Sequence, residues 1–344
     1  MSFDDYIRAM PKVELHVHLE GAIQPATLLQ LAKKHQVTLP ADTVEGLRQW
    51  YQFTDFNHFI EIYLAISGCI RTVEDVELIA REFLTGQAAQ NIRYSEVTYT
   101  IFTHYYTKGL AAADQLAALN RAREWAKQTY GVDAGWVLDI SREVPPEHGL
   151  FTAQWAVQGM HDHVVALGLG GPEVGNPPEK FSEAFQLAQA AGLPCVPHAG
   201  ETQGADSMWS ALKVAHGVRL GHGVRCLEDP ILVEELRARQ VPLEVCPTSN
   251  VCLHVAPSIE QHPLSRLMEA GLYVTLNSDD PALFNTTLTD EYLKSAKAFD
   301  WKVGQVEAFS LRALRASLLP DVQKAKLEAE FKEEFSNLRK EHLF

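Results

Sequence analysis

No stretch of the 344 residues approaches the ~20 consecutive apolar residues that a membrane-spanning helix requires. The amino terminus, Met1-Ser-Phe-Asp-Asp-Tyr6, has neither a basic cluster nor an apolar run, so a soluble, cytoplasmic protein is expected. Cysteine is sparse: Cys69, Cys195, Cys226, Cys246 and Cys252 are odd in number and irregular in spacing, which argues against a disulfide framework and for reduced thiols. Positive charge is in deficit. Thirty Lys and Arg against 44 Asp and Glu leave a net charge of −14, which repels phosphate backbones and anionic lipid, so neither a nucleic-acid polymer nor a membrane surface is an expected partner. No repeat, low-complexity tract or Gly/Ser linker marks a second domain, and 46% apolar with 22% charged residues is ordinary globular composition.

What the chain does contain is a regular alternation. Eight short, apolar, β-branched-rich runs stand out: Val13–His18, Ile92–Tyr99, Ala134–Ile140, Val164–Leu169, Leu193–His198, Arg219–His222, Val241–Cys246 and Leu272–Ser278. Between them lie stretches with helical spacing, such as 72–87, where Val76, Ile79, Ala80 and Phe83 share a face and Thr72 with Asp75 makes a helix-start signal. Parallel strands covered by helices read as nearly continuous apolar runs, and eight such βα units predict one closed (β/α)8 barrel over residues 1–344. Two segments exceed the minimal barrel, about 25–90 after the first strand and about 289–344 after the last. Both read as helices that cap the barrel.

Chemistry-bearing residues gather at the carboxyl ends of these runs, where barrel enzymes keep their active sites. The first ends in His16-Val-His18, and side chains two apart on a strand point the same way, so both imidazoles face the interior. The fifth ends in His198-Ala-Gly-Glu201, the sixth in Gly221-His222-Gly223 and the eighth in Ser278-Asp-Asp-Pro281. Imidazole and carboxylate suit Zn²⁺, so His16, His18, His198 and Asp279 are candidate metal ligands, with Glu201 and His222 free for proton chemistry. Pro281 should force the chain out of the strand and turn Asp280 back into the site. A second His-x-His, His161-Asp-His163, precedes the fourth strand and belongs on the opposite face. His58 and His104 are read as ordinary helix or loop residues with a possible place on a lid.

Together, Pro11-Lys-Val-Glu-Leu-His-Val-His-Leu-Glu-Gly21, His198-Ala-Gly-Glu201, Arg219-Leu-Gly-His-Gly223, Cys246-Pro-Thr-Ser-Asn250 and Leu276-Asn-Ser-Asp-Asp-Pro281 resemble the adenosine/adenine deaminase family of the amidohydrolase superfamily. The resemblance implies a (β/α)8 barrel with one Zn²⁺ per chain that hydrolyses the 6-amino group from a small-molecule purine, using water and releasing ammonia. It assigns the same four metal ligands. It further implies that Glu201 protonates purine N1, His222 activates the attacking water, Asp280 hydrogen-bonds N7 and Gly171 offers its N–H to N3. The glycines of Gly168-Leu-Gly-Gly171 would let a flat base approach the main chain.

Two zinc chemistries are set aside. His18-Leu-Glu20 matches the H-x-E of cytidine-type deaminases, but no P-C-x-x-C accompanies it. A binuclear amidohydrolase would place a bridging Lys where this chain has Gly-Leu-Gly-Gly-Pro172. A non-catalytic binding barrel would be expected to have lost a ligand or Glu201, and all are present. The group on purine N9 is open: His18-Leu-Glu-Gly21 departs from the H-L-D-G of adenosine deaminases and matches adenine deaminases, whereas 283–292 looks nucleoside-type. Adenosine or a derivative is the leading expectation, with adenine or aminodeoxyfutalosine as alternatives and Glu20 as a residue contacting the substituent.

Overall fold

In the computed structural model, which describes residues 2–342, eight parallel strands pair in chain order from first to last. They are β1 (Lys12–His18), β2 (Ile92–Tyr99), β3 (Asp133–Ser141), β4 (Val164–Gly170), β5 (Cys195–Ala199), β6 (Leu220–His222), β7 (Leu243–Val245) and β8 (Val274–Leu276). The ring closes just beyond β8. Val17 bridges Asp279 in parallel, His18 N–H donates to the Asp279 carbonyl at 2.8 Å, and Asp279 N–H donates to the His16 carbonyl at 3.1 Å. The molecule is therefore a (β/α)8 barrel as expected, with all eight strands where the apolar runs place them.

The helices form where local signals ask for them. The helix Val73–Ala89 starts on a reciprocal cap in which Thr72 Oγ1 accepts from Asp75 N–H and the Asp75 carboxylate accepts from Thr72 N–H. Its buried stripe of Val76, Ile79, Ala80 and Phe83 packs toward the barrel. The insertion after β1 contains four helices, Pro25–His35, Val44–Trp50, Phe56–Ser67 and Val73–Ala89, and the third stands over the carboxyl end of the barrel. The closing segment is helical, as expected: Val303–Ala316 packs on β1 and β8, and Asp321–His342 packs on Val303–Ala316 and on the first helix, Phe3–Ala9. Among the described residues no helix is long and apolar enough to cross a membrane, and none of the five cysteines is paired.

The barrel interior differs most from the sequence reading. Val137, Ala166 and Val196 form a small apolar plug beneath the β3–β5 side. Elsewhere the inward layer is ionic. Arg219, fully buried, donates to Glu244 and Glu96 and, through Nη1, to the Ala316 carbonyl at 2.9 Å, while Glu96 also accepts from Leu318 N–H. Burial and the Arg219 charge act in opposite directions on Glu244, and its carboxyl ends below the usual range because Arg219 and His16 hold the charged form. A buried ion cluster of this kind adds little net stability but loses about 3–5 kcal/mol when one member is removed. Its value lies in what it orients.

Candidate active site

Four side chains from three points on the rim converge at the carboxyl end of the barrel. His16 Nδ1–H donates to Glu244 Oε2 at 3.0 Å, and His198 Nδ1–H donates to the Leu169 carbonyl at 2.9 Å. A carboxylate or carbonyl can only accept, so each ring keeps its Nε2 lone pair for the centre of the site. His16 Nε2 and His18 Nε2 each lie 3.3 Å from Asp279 Oδ1, and His18 Nε2 is 3.1 Å from His198 Nε2. Ser249 Oγ donates to the other Asp279 oxygen at 2.7 Å. These four donor atoms fall within 4.8 Å of one another, all are buried, and His16 Nε2 has no hydrogen-bond partner. Three imidazoles and a carboxylate, all buried, form a donor set that fits Zn²⁺.

Asp279 sits at φ +65°, in the left-handed region, and this turn lets both consecutive acids face inward. Asp280 then lies against Gly21, where a Cβ would meet its Oδ1 at 1.7 Å, so only glycine fits there. The turn is made at Asp279 itself, ahead of Pro281. Upstream, the Glu14 carboxylate accepts from Ser278 N–H at 3.1 Å and from its hydroxyl, and Asn277 Oδ1 accepts from Leu15 and His16 N–H. Burial, with the Asp279 charge adding to it, raises the Asp280 carboxyl well above its ordinary value.

Glu201 Oε1 lies 3.7 Å from His222 Nε2, which is 3.9 Å from Asp279 Oδ2. Burial, then the charges of Asp279 and Glu173, push the Glu201 carboxyl well above the usual range, and burial lowers His222 to about 4. Burial thus favours the protonated acid at Glu201 and the neutral imidazole at His222. Glu173 clasps the loop that carries Glu201: its two oxygens accept the N–H groups of Gly200, Glu201 and Thr202 at 2.8–2.9 Å, and the Ser207 hydroxyl. Arg142 braces the strand below by donating to the His198 carbonyl at 2.7 Å. The His222 Nδ1 meets the Asn250 amide at 3.4 Å, and that amide's oxygen accepts from His262 Nε2 at 3.0 Å.

The cavity above these groups is lined on one side by Phe56, Phe59, Ile60, Tyr63 and Leu64 of the insertion helix, and on the other by Thr100, Asp139, Ser141, Gly170 and Gly171. Gly171, at φ +98°, lies on this wall. Gly168 and Gly170 also make room for an acid: a Cβ on either would lie 2.9 Å from the Asp139 side chain. Asp139, at the end of β3, was not read from the sequence as a site residue. Its carboxyl is raised by burial to about 6.

Glu20 lies behind this wall. Its Oε1 accepts from Thr100 N–H and His104 Nε2, both at 3.0 Å, and its Oε2 from the Tyr63 hydroxyl at 3.2 Å. It does not line the cavity, nor do His104, which is fully buried, or His58. His161 and His163 lie ahead of β4, and among the described residues neither joins a metal-holding group. Glu20→Ala would leave three buried donors without their acceptor and should cost roughly 3 kcal/mol. Urea denaturation should show a lowered midpoint, with kcat/KM falling alike for base and nucleoside substrates. Unchanged stability with a loss confined to nucleosides would instead place this carboxylate on the substrate.

Comparison with known proteins agrees with this geometry. The adenosine deaminase family profile matches residues 11–334. An aminodeoxyfutalosine deaminase of Streptomyces avermitilis is 38% identical over 332 residues, covering 94% of this chain and 91% of that protein. The crystal structure of an adenine deaminase from Arthrobacter aurescens superposes with a TM-score of 0.90 at 34% identity, covering 94% of this chain and 99% of the other. An amidohydrolase from Burkholderia ambifaria, with bound Zn, does so with a TM-score of 0.89 at 26% identity, covering 98% and 93%.

Proposed function

The chain belongs to the adenosine deaminase family of hydrolases, and on that premise we propose that it removes the 6-amino group of an N9-substituted purine, using one Zn²⁺ per chain. The observation that supports this best is the four-donor metal cradle next to Glu201, an acid that burial keeps protonated, and His222, a base that burial keeps neutral. When bound, a zinc ion would lower the pKa of a water molecule from 15.7 toward ~7. The chain's own residues do the rest. Attack at C6 breaks the ring's aromaticity, and Glu201 relieves this by giving its proton to N1. His222 accepts the proton of the attacking water. Asp280, held protonated, donates to N7, and Gly171 presents its N–H to N3. His222 hands its proton to the departing amino group and the new hydroxyl returns one to Glu201, so water enters, ammonia leaves and the amidine becomes the 6-oxo product.

Adenosine led the expectations from sequence. The relatives shift the weight: those matched are named for aminodeoxyfutalosine or for adenine. We take the aminodeoxyfutalosine class first, because the relative of that name is 38% identical over 332 residues and covers 94% of this chain. Adenine is the second reading, favoured by Glu20 in the sequence motif. The same proposal places the enzyme in the cytoplasm, with support from five unpaired cysteines. A panel of adenine, adenosine, 2′-deoxyadenosine, their 6-methylamino forms and aminodeoxyfutalosine tests it. Aminodeoxyfutalosine should give a kcat/KM at least about tenfold above the others. Adenine at the top of the series would replace the first reading with the second, and no turnover of any 6-aminopurine would remove both.

A further inference from the structure

The groups assigned to the reaction occupy only part of the rim. The metal donors, Glu201, His222 and Asp280 come from β1, β5, β6 and the turn after β8. The ends of β2, β3 and β4 carry none of the acid, base or metal chemistry. Yet Asp139 stands there with 4% of its surface exposed, lines the cavity, and has an Oδ1 without a hydrogen-bond partner. Space for it is built in, since Gly168 and Gly170 on the neighbouring strand are the residues whose side chains would collide with it. Ser141, two residues on and so on the same inward face, and Thr103 line the cavity beside it. Thr100 also bonds the Asp139 carboxylate, and the acceptor oxygen left without a protein partner in this open cavity is completed by a donor on a ligand.

We infer that Asp139, with Ser141 and Thr103 beside it, forms a subsite for hydroxyl groups of the substituent on purine N9, so that the substrate class is a ribosyl 6-aminopurine and not the free base. The inference rests on the deaminase reading above for which end of the purine meets the metal. C6 must lie over the β5–β8–β1 side, which sends the opposite end of the base toward β2–β4. A site built to pair with a substrate hydroxyl discriminates strongly against an analogue lacking it.

The test separates binding from turnover. Calorimetry with the zinc-loaded enzyme compares inosine with hypoxanthine, a pair that differs only in the ribosyl group and needs no deamination to bind. Wild type should bind inosine at least about tenfold more tightly, Asp139→Ala should erase that preference, and Asp139→Asn, which keeps an acceptor oxygen, should retain part of it. In kinetics, the ratio of kcat/KM for the ribosyl substrate over adenine should fall by about 10²-fold in Asp139→Ala, mostly through KM. Equal binding of the two ligands by wild type, or equal weakening of both by Asp139→Ala, would overturn the subsite. A wild type that prefers inosine but releases ammonia from no 6-aminopurine would leave the subsite standing and remove the proposed reaction.

Discussion

Glu201→Gln will keep its metal and bind substrate while kcat falls about 10³-fold, because the amide preserves shape and removes the proton that N1 must receive. The loop geometry should survive the change, since Glu173 grips it through main-chain N–H groups and not through the Glu201 side chain. KM should therefore move far less than kcat. The pH profile carries the sign of the effect. Burial and the Asp279 and Glu173 charges hold the Glu201 proton above the ordinary carboxyl range, so wild-type activity should fall as pH rises through that elevated value. This alkaline limb should vanish in the glutamine variant. A loss under about tenfold would mean that another group supplies the proton.

Asp279→Ala will hold no metal and show no measurable turnover, since it removes the one carboxylate from a four-donor set; His16→Ala should behave alike. The loss should far exceed the ~10–100-fold typical when a residue that merely orients a ligand is changed. Asp279 also uses its backbone to close the barrel, and alanine is less at ease than aspartate at φ +65°. Asp279→Asn separates the two roles: asparagine tolerates that backbone and keeps the bridge to β1 while withdrawing the charge. Elemental analysis and circular dichroism of both variants should show native structure without metal in the asparagine form. A fully loaded, active His16→Ala enzyme, or two tightly held metals per wild-type chain, would undo the assignment.

The barrel was legible because β-branched runs recur at βα spacing, and the metal donors because they terminate those runs. Other features were not. Val13–His18 reads as a near-continuous apolar strand, whereas a register shift between Glu14 and Val17 parts its polar residues: Glu14 turns to Gln87 of the helix Val73–Ala89, and His16 and His18 turn to the metal donors. Glu173 lies 28 residues before Glu201, and only the fold shows that its carboxylate holds that residue's N–H. The pairing of Glu20 with His104 across 84 residues is similarly non-local, and a histidine inside a short helix has no pattern that marks it as a buried bracket. Asp139 could have been suspected from its place in Val137-Leu-Asp-Ile-Ser141, an acid inside an apolar run at the end of a strand. Asp280 faces inward through the backbone of the residue before it, a conformation that composition does not reveal.

The Arg219 cluster has a consequence for redesign and for divergence. It runs from the Ala316 carbonyl and Leu318 N–H, near the end of the last flanking helix, through Arg219 to Glu244 and thence to the imidazole of His16. A graft of the rim loops onto another eight-stranded scaffold would omit this tether and leave His16 free to choose the wrong tautomer. The insertion helix Phe56–Ser67, which lines the cavity and reaches Glu20 through Tyr63, has no part in this tether. Random mutagenesis of the tail should accordingly yield folded proteins whose zinc affinity is altered by substitutions at that junction, on the face of the barrel opposite the chemistry.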